Sequence, residues 1–229
     1  RANTAKAHKQ YPDEKAFREL RARYYGLCSL VDTYVGRILS TLAELGLEEN
    51  TIVVFTSDHG DMMGSHGQFA KTVMYQEAVR VPLLIRLPGQ TEHRRVSGPV
   101  SQIDVVPTLL DLMGAEVPKE LEGTSRAALC ESGGRVDEEV FIEWNGRNGA
   151  GQEINKEFGA DPVRTVVTPD GWRCSLSPLG YHELINLRSD PLETTNLAPD
   201  PAYNSVLRGL AERVKSWQSR TSDRSPIDV

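Results

Sequence analysis

The sequence predicts an α/β protein whose second part is a small antiparallel sheet with a helix packed on it. Three observations carry this expectation. An apolar run, Thr51-Ile-Val-Val-Phe-Thr56, stops abruptly and is followed by Ser57-Asp-His-Gly-Asp-Met-Met-Gly-Ser-His-Gly-Gln-Phe-Ala-Lys71. A long helical stripe precedes it, and past residue 137 the texture becomes short strands closed by one more helix. In open α/β sheets ligands bind beyond the carboxyl ends of strands, so Asp58 and His59 stand at the rim of a site.

From Asp13 to Leu45 the pattern is helical: Leu27, Leu30, Val31, Tyr34, Ile38, Leu42 and Leu45 form one apolar stripe, and Gly46 ends it. Asp32, beside the stripe, reads as a solvated or hydrogen-bonding carboxylate rather than a ligand. Cys28 reads as a small buried hydrophobe. The run Thr51 to Thr56 is β-branched and aromatic, as in a strand buried on both faces. Val81 to Leu87 is a second strand, with Pro82 near its start, where a missing donor is tolerated, and Pro88-Gly89 at its end. His93, Arg94 and Arg95 read as solvated charges in a polar loop.

Asp104 to Gly114 is predicted to be a helix with Asp104 as its cap, Pro107 in the first turn and Gly114 past the end. The Gly-, Glu- and Ser-rich stretch from Ala115 to Asp137 is predicted to be a loop and the domain boundary, giving residues 1–136 and 137–229. Strands follow over Glu139–Trp144, Val163–Thr168, Trp172–Leu176 and Glu183–Leu187, with Pro169-Asp170-Gly171 as a tight turn. A helix from Pro201 to Ser219 presents Val206, Leu207, Leu210, Val214 and Trp217 to that sheet. Thr221 to Val229 are expected to be loose.

The net charge of −6 argues against a nucleic-acid partner, which requires a basic face. Three scattered cysteines, Cys28, Cys130 and Cys174, make no disulfide framework. No apolar run approaches the roughly 20 residues of a membrane span. With Arg1 in place of an initiator Met and no apolar signal core, the chain is expected to start in mid-protein, and its compartment is not legible.

Asp58 offers carboxylate oxygen and His59 imidazole nitrogen to one divalent cation, with Asp61 as the nearest further candidate. Hard cations take about six oxygens or more, so other ligands must come from elsewhere. Zinc is the weaker reading of His59 and His66, which lack a helix-spaced pair and a nearby cysteine. Spacing alone leaves metal binding level with a plain glycine-rich turn. Lys71 and His66 near a metal suit an anionic ester, whose charge they would neutralise. A surface lysine is the alternative.

The run Ser57 to Lys71, with Arg80-Val-Pro-Leu-Leu-Ile85 after it, resembles the carboxyl-terminal metal loop of the sulfatases, in the alkaline-phosphatase superfamily. Tyr24 to Gly36 is similar to the family's long helix, Ile103 to Leu112 to its following helix, and His182 to Ala198 to its terminal hairpin. The resemblance implies the carboxyl-terminal part of an alkaline-phosphatase-like α/β sandwich, followed by the small sheet and helix. It implies that Asp58 and His59 ligate one divalent ion, usually calcium, with His59 standing where many relatives carry Asn. It implies that Lys71 contacts the sulfate, that His66 faces substrate, and that Arg80 is structural.

The family's nucleophile is a formylglycine made within a Cys/Ser-x-Pro/Ala-x-Arg motif, and two further metal-binding Asp residues lie near the amino terminus. No cysteine here has that context. The expectation is therefore a sulfatase part that is inactive alone, its nucleophile on an amino-terminal part that is its partner, acting on a small-molecule or carbohydrate sulfate ester. Phosphonate monoester hydrolases and phosphodiesterases share the Asp-His-Gly loop and the lysine and are the first alternative. A noncatalytic structural or docking fragment is the second. Specificity is expected from loops such as Glu143 to Arg147, where Trp144 could stack on a sugar or aryl group, and Gly149 to Asp161.

Overall fold

The computed structural model describes residues 13–146 and 161–227. The chain divides into two compact units, residues 1–93 and 94–229. The composition shift near residue 137 lies inside the second unit. Arg147 and most of the Gly149 to Asp161 stretch lie outside the described residues.

In the first unit, helix α1 (Glu14–Glu44) begins where the Asp13 side chain accepts the Ala16 N–H at 2.8 Å. It ends with Gly46 at φ 68°, while the Leu47 N–H reaches back to the Leu42 carbonyl, the left-handed closure expected of a glycine past a helix end. Its apolar stripe is present, but no residue of α1 is buried. Cys28 is accordingly exposed, contrary to the buried hydrophobe expected. Asp32 is exposed as well.

Strand β1 (Val53–Thr56) pairs antiparallel with β2 (Leu83–Arg86), from Val53 opposite Arg86 to Thr56 opposite Leu83. Burial on both faces is not observed. Among the described residues β1 has β2 as its only strand partner, and Phe55 and Leu84 are 37% and 59% exposed. Composition indicates what kind of surface the strand carries, not what covers it. One helical turn, α2 (Gln76–Val79), leads from the charged loop into β2.

The second unit opens with β3 (Val96–Ser97) and α3 (Val105–Leu112). Asp104 does not cap α3 with its side chain. Its buried carboxylate instead accepts from the Thr124 N–H at 2.9 Å and Arg126 Nε at 3.0 Å. The tertiary partner, invisible in local sequence, outcompetes the local cap. The stretch predicted as loop contains α4 (Ala127–Ser132) and β4 (Gly134–Arg135), which pairs parallel with β3.

Strands β5 (Val140–Glu143), β6 (Arg164–Val167), β7 (Trp172–Leu176) and β8 (Glu183–Asn186) form an antiparallel sheet in sequence order. Helix α5 (Asn204–Thr221) covers one face, where Val166, Cys174, Leu176 and Leu184 meet Leu207, Leu210, Ala211 and Val214. Trp217 stacks on Phe141 with ring centroids 5.2 Å apart. Period-two alternation turns Arg173 and Ser175 to the opposite face, where Arg173 bonds Glu193, Glu183 and Ser175.

The tail expected to be loose is tied down. Asp223 clasps Arg164 through two 2.8 Å bonds, Ser225 Oγ donates to the Pro162 carbonyl, and Ile227 joins the core.

Candidate metal and anion site

Everything in this site belongs to the first unit. The chain leaves β1 at Thr56 and turns sharply, because the Gly60 N–H donates to the Ala78 carbonyl at 2.8 Å. A Cβ on Gly60 would fall 1.9 Å from the Glu77 carbonyl oxygen, so only glycine permits this approach to α2. The loop beyond is crossed by bonds from Met62 N–H to Ala70 O and from Gly64 N–H to Gln68 O, both 2.8 Å. Met62 is buried, and the Phe17 ring lies over Gly64 while meeting Phe69 edge-on.

The turn places Asp58 and His59 side by side. The Asp58 carboxylate accepts the His59 N–H at 2.9 Å. That bond holds its pKa below the usual carboxylate value, with smaller help from the Lys71 ammonium. His59 Nδ1 lies 2.8 Å from the Gly60 carbonyl. A carbonyl only accepts, so Nδ1 carries the proton and Nε2 of the neutral ring presents a lone pair. Lys71 Nζ donates to that lone pair. The cation bound to His59 in the structure is the Lys71 ammonium.

The donors fit a metal ion. An ion holding two donors at about 2.3 Å and at right angles sets them roughly 3.3 Å apart; Asp58 Oδ2 and His59 Nε2 are 3.4 Å apart. The Asp58 side chain is 84% exposed. Among the described residues no group of three or more His, Cys, Asp and Glu is placed to hold one. Asp61 accepts the Met63 N–H at 2.9 Å and thereby shapes the loop.

Met63, His66, Ala70 and Thr72 all have left-handed φ, between 42° and 82°. Each such non-glycine residue costs about 1 kcal/mol or more, and such strain clusters at functional sites. Thus Asp58, His59 and Lys71 come together, while His66, exposed on the same loop, lies flat on Tyr75. Arg80 is exposed and donates to Gln76 Oε1 at 3.2 Å. His93, Arg94 and Arg95 are exposed. Tyr75 escaped the sequence reading: it stands four residues past Lys71, and nothing in its surroundings marks it as the ring under His66.

A long helix, a strand ending in a charged loop, and a four-stranded antiparallel sheet beneath a terminal helix are elements that the chain shares with solved sulfatases of alkaline-phosphatase-like fold. The chain belongs to the sulfatase family: the family described as Sulfatase matches residues 2–115, and N-sulphoglucosamine sulphohydrolase, C-terminal, matches residues 64–220. The multifunctional alkaline phosphatase superfamily protein PehA of Trinickia caryophylli is 32% identical over 93% of this chain and 43% of its own length. Arylsulfatase K of Canis lupus familiaris is 34% identical over 89% of this chain and 38% of its own. The chain therefore spans less than half the length of these relatives.

Among solved structures, phosphonate monoester hydrolase SpPMH from Silicibacter pomeroyi has a TM-score of 0.80 at 28% identity, covering 91% of this chain and 42% of that one. A structure of BT4656 in complex with its substrate D-glucosamine-2-N,6-O-disulfate has a TM-score of 0.70 at 28% identity, covering 86% and 40%.

Proposed function

We propose that this chain supplies one wall of a sulfatase active site, in a parent enzyme that hydrolyses sulfate esters with a divalent metal and a formylglycine nucleophile. The observation that carries the reading is the clustering of Asp58, His59 and Lys71, two donors 3.4 Å apart with an ammonium against one of them. Asp58 Oδ2 and His59 Nε2 would hold the metal, the Lys71 ammonium giving up the single Nε2 lone pair that it occupies here. When bound, the metal supplies Lewis-acid polarisation of the ester's oxygens. Calcium is the ion the resemblance implies, and the one imidazole donor departs from the all-oxygen set that calcium usually takes.

Lys71 supplies a positive charge for nonbridging and departing oxygens, worth most where water is excluded. His66 presents its ring edge to the substrate, as donor or acceptor. Cys28, Cys130 and Cys174 lie outside the modification motif, so the nucleophile belongs to an amino-terminal part of the parent, and this chain alone is inactive. The partner surface is on α1, where Tyr25, Leu27, Leu30, Val31, Tyr34 and Ile38 are each more than half exposed. So large a patch marks an interaction surface. The substrate class is a small-molecule or carbohydrate sulfate ester; the relative solved with a sulfated glucosamine supports the carbohydrate branch.

The likeness to the phosphonate monoester hydrolase SpPMH favours a second reading, a phosphonate monoester or phosphodiester substrate. A panel of aryl sulfates, sulfated sugars and phosphodiesters assayed on the full-length parent separates the two. Sulfate ester turnover is expected to lead. Phosphodiester turnover exceeding it by orders of magnitude would overturn the assignment.

A further inference from the structure

His66 sits in the middle of the turn Ser65–Gly67 with φ 53°, flanked by Gly64 at φ 94° and Gly67 at φ 66°. A histidine held at this left-handed φ costs about 1 kcal/mol relative to glycine. The ring of His66 lies on Tyr75 with centroids 3.9 Å apart and planes 9° from parallel. One face of the imidazole is therefore covered, while the residue as a whole stays exposed.

Tyr75 is itself anchored. Its carbonyl accepts the Ala78 and Val79 N–H groups at 2.9 and 3.1 Å, starting α2. The carbonyl of Ala78 in turn accepts the Gly60 N–H that sets the Asp58–His59 turn. One short helix thus holds both the donor pair and the ring beneath His66. A mobile imidazole on an exposed loop would lose rotamer entropy on meeting an anion; a stacked one has lost it already.

We propose that Tyr75 is a positioning residue: its ring fixes the orientation of the His66 imidazole toward the substrate anion. This rests on the substrate role of His66 proposed above, and it adds a specific division of labour between two aromatic rings. Stacking, not the phenol hydroxyl, does the positioning, so phenylalanine preserves it and an aliphatic side chain does not.

The test uses the full-length parent with carbon-labelled histidine. Ring-proton contacts between His66 and Tyr75 are expected in the wild type, with the His66 signals upfield of their random-coil positions. Tyr75→Leu is expected to move those signals to random-coil values and to lower kcat/KM for a sulfate ester by roughly three- to tenfold. Tyr75→Phe is expected to retain both properties within twofold, or roughly so.

Absence of the ring contacts in the wild type overturns the proposal, a result that does not depend on any variant folding. So does Tyr75→Leu with His66 signals or kcat/KM unchanged while His66→Ala is impaired. A neutral His66→Ala overturns the substrate role of His66 itself, and the proposal with it, which separates the two failures.

Discussion

Replacing Lys71 with alanine in the full-length parent is expected to lower kcat/KM for a sulfate ester by roughly a hundred- to a thousandfold, the usual cost of one preorganised donor at a developing anion. Lys71 reaches the Nε2 of His59, so its charge stands where the donor pair meets a ligand. The loss should fall more on kcat than on KM if the ammonium meets charge that grows in the transition state. Lys71→Arg should recover only part of it, because a planar fork does not replace a compact point charge. Stability should change by less than about 0.5 kcal/mol, since Lys71 is exposed. Steady-state kinetics beside a thermal melt would check both. Unchanged turnover would favour the noncatalytic reading of this segment.

The largest stability effect is expected at Arg164. Its guanidinium donates to both Asp223 oxygens at 2.8 Å, to Asn145 Oδ1 at 2.8 Å, and to the Trp144 and Val163 carbonyls at 3.1 Å. The two side chains are 4% and 13% exposed. Arg164→Met removes one partner and strands a buried carboxylate, an exchange that costs about 3–5 kcal/mol. Urea unfolding followed by tryptophan fluorescence reads this directly, because Trp172 and Trp217 report on the same sheet and helix. A cost below about 1 kcal/mol would mean the pair is solvated like a surface bridge.

The same pair gives the fold an acid limit. Hydrogen bonds from Arg164 lower the Asp223 pKa from 3.8 to about 2. A depressed folded-state value contributes stability above the unfolded pKa, and that contribution is lost as pH falls through the folded one. The step therefore lies between about pH 4 and pH 2 and is worth roughly 2 kcal/mol. In Arg164→Met it should be largely absent.

Much of the second unit was legible because its signals are local. The turn at Gly171 and the alternation along Trp172 to Leu176 fix β7, and the spacing of Leu207, Leu210 and Val214 fixes the covering helix. What escaped depends on distant partners. Asp104 looked like a helix cap until Arg126 took its carboxylate, and the tail looked loose because nothing beside Asp223 announces Arg164. In the first unit the stripe on α1 and the β1 run were read correctly as apolar, but the burial they imply was not found. The site divides the same way. Asp58, His59 and Lys71 share one short stretch and were legible together, whereas Tyr75 meets His66 only through the left-handed turn.

In the proposed site Asp58 and His59 are two ligands of one divalent ion. Calorimetric titration of the metal-stripped full-length parent with calcium and, separately, manganese tests it most directly. One ion should bind per molecule, and Asp58→Ala should weaken it by more than the roughly 10–100-fold typical of losing a residue that only orients a ligand. Equal affinity in wild type and Asp58→Ala would rule out Asp58 as a ligand.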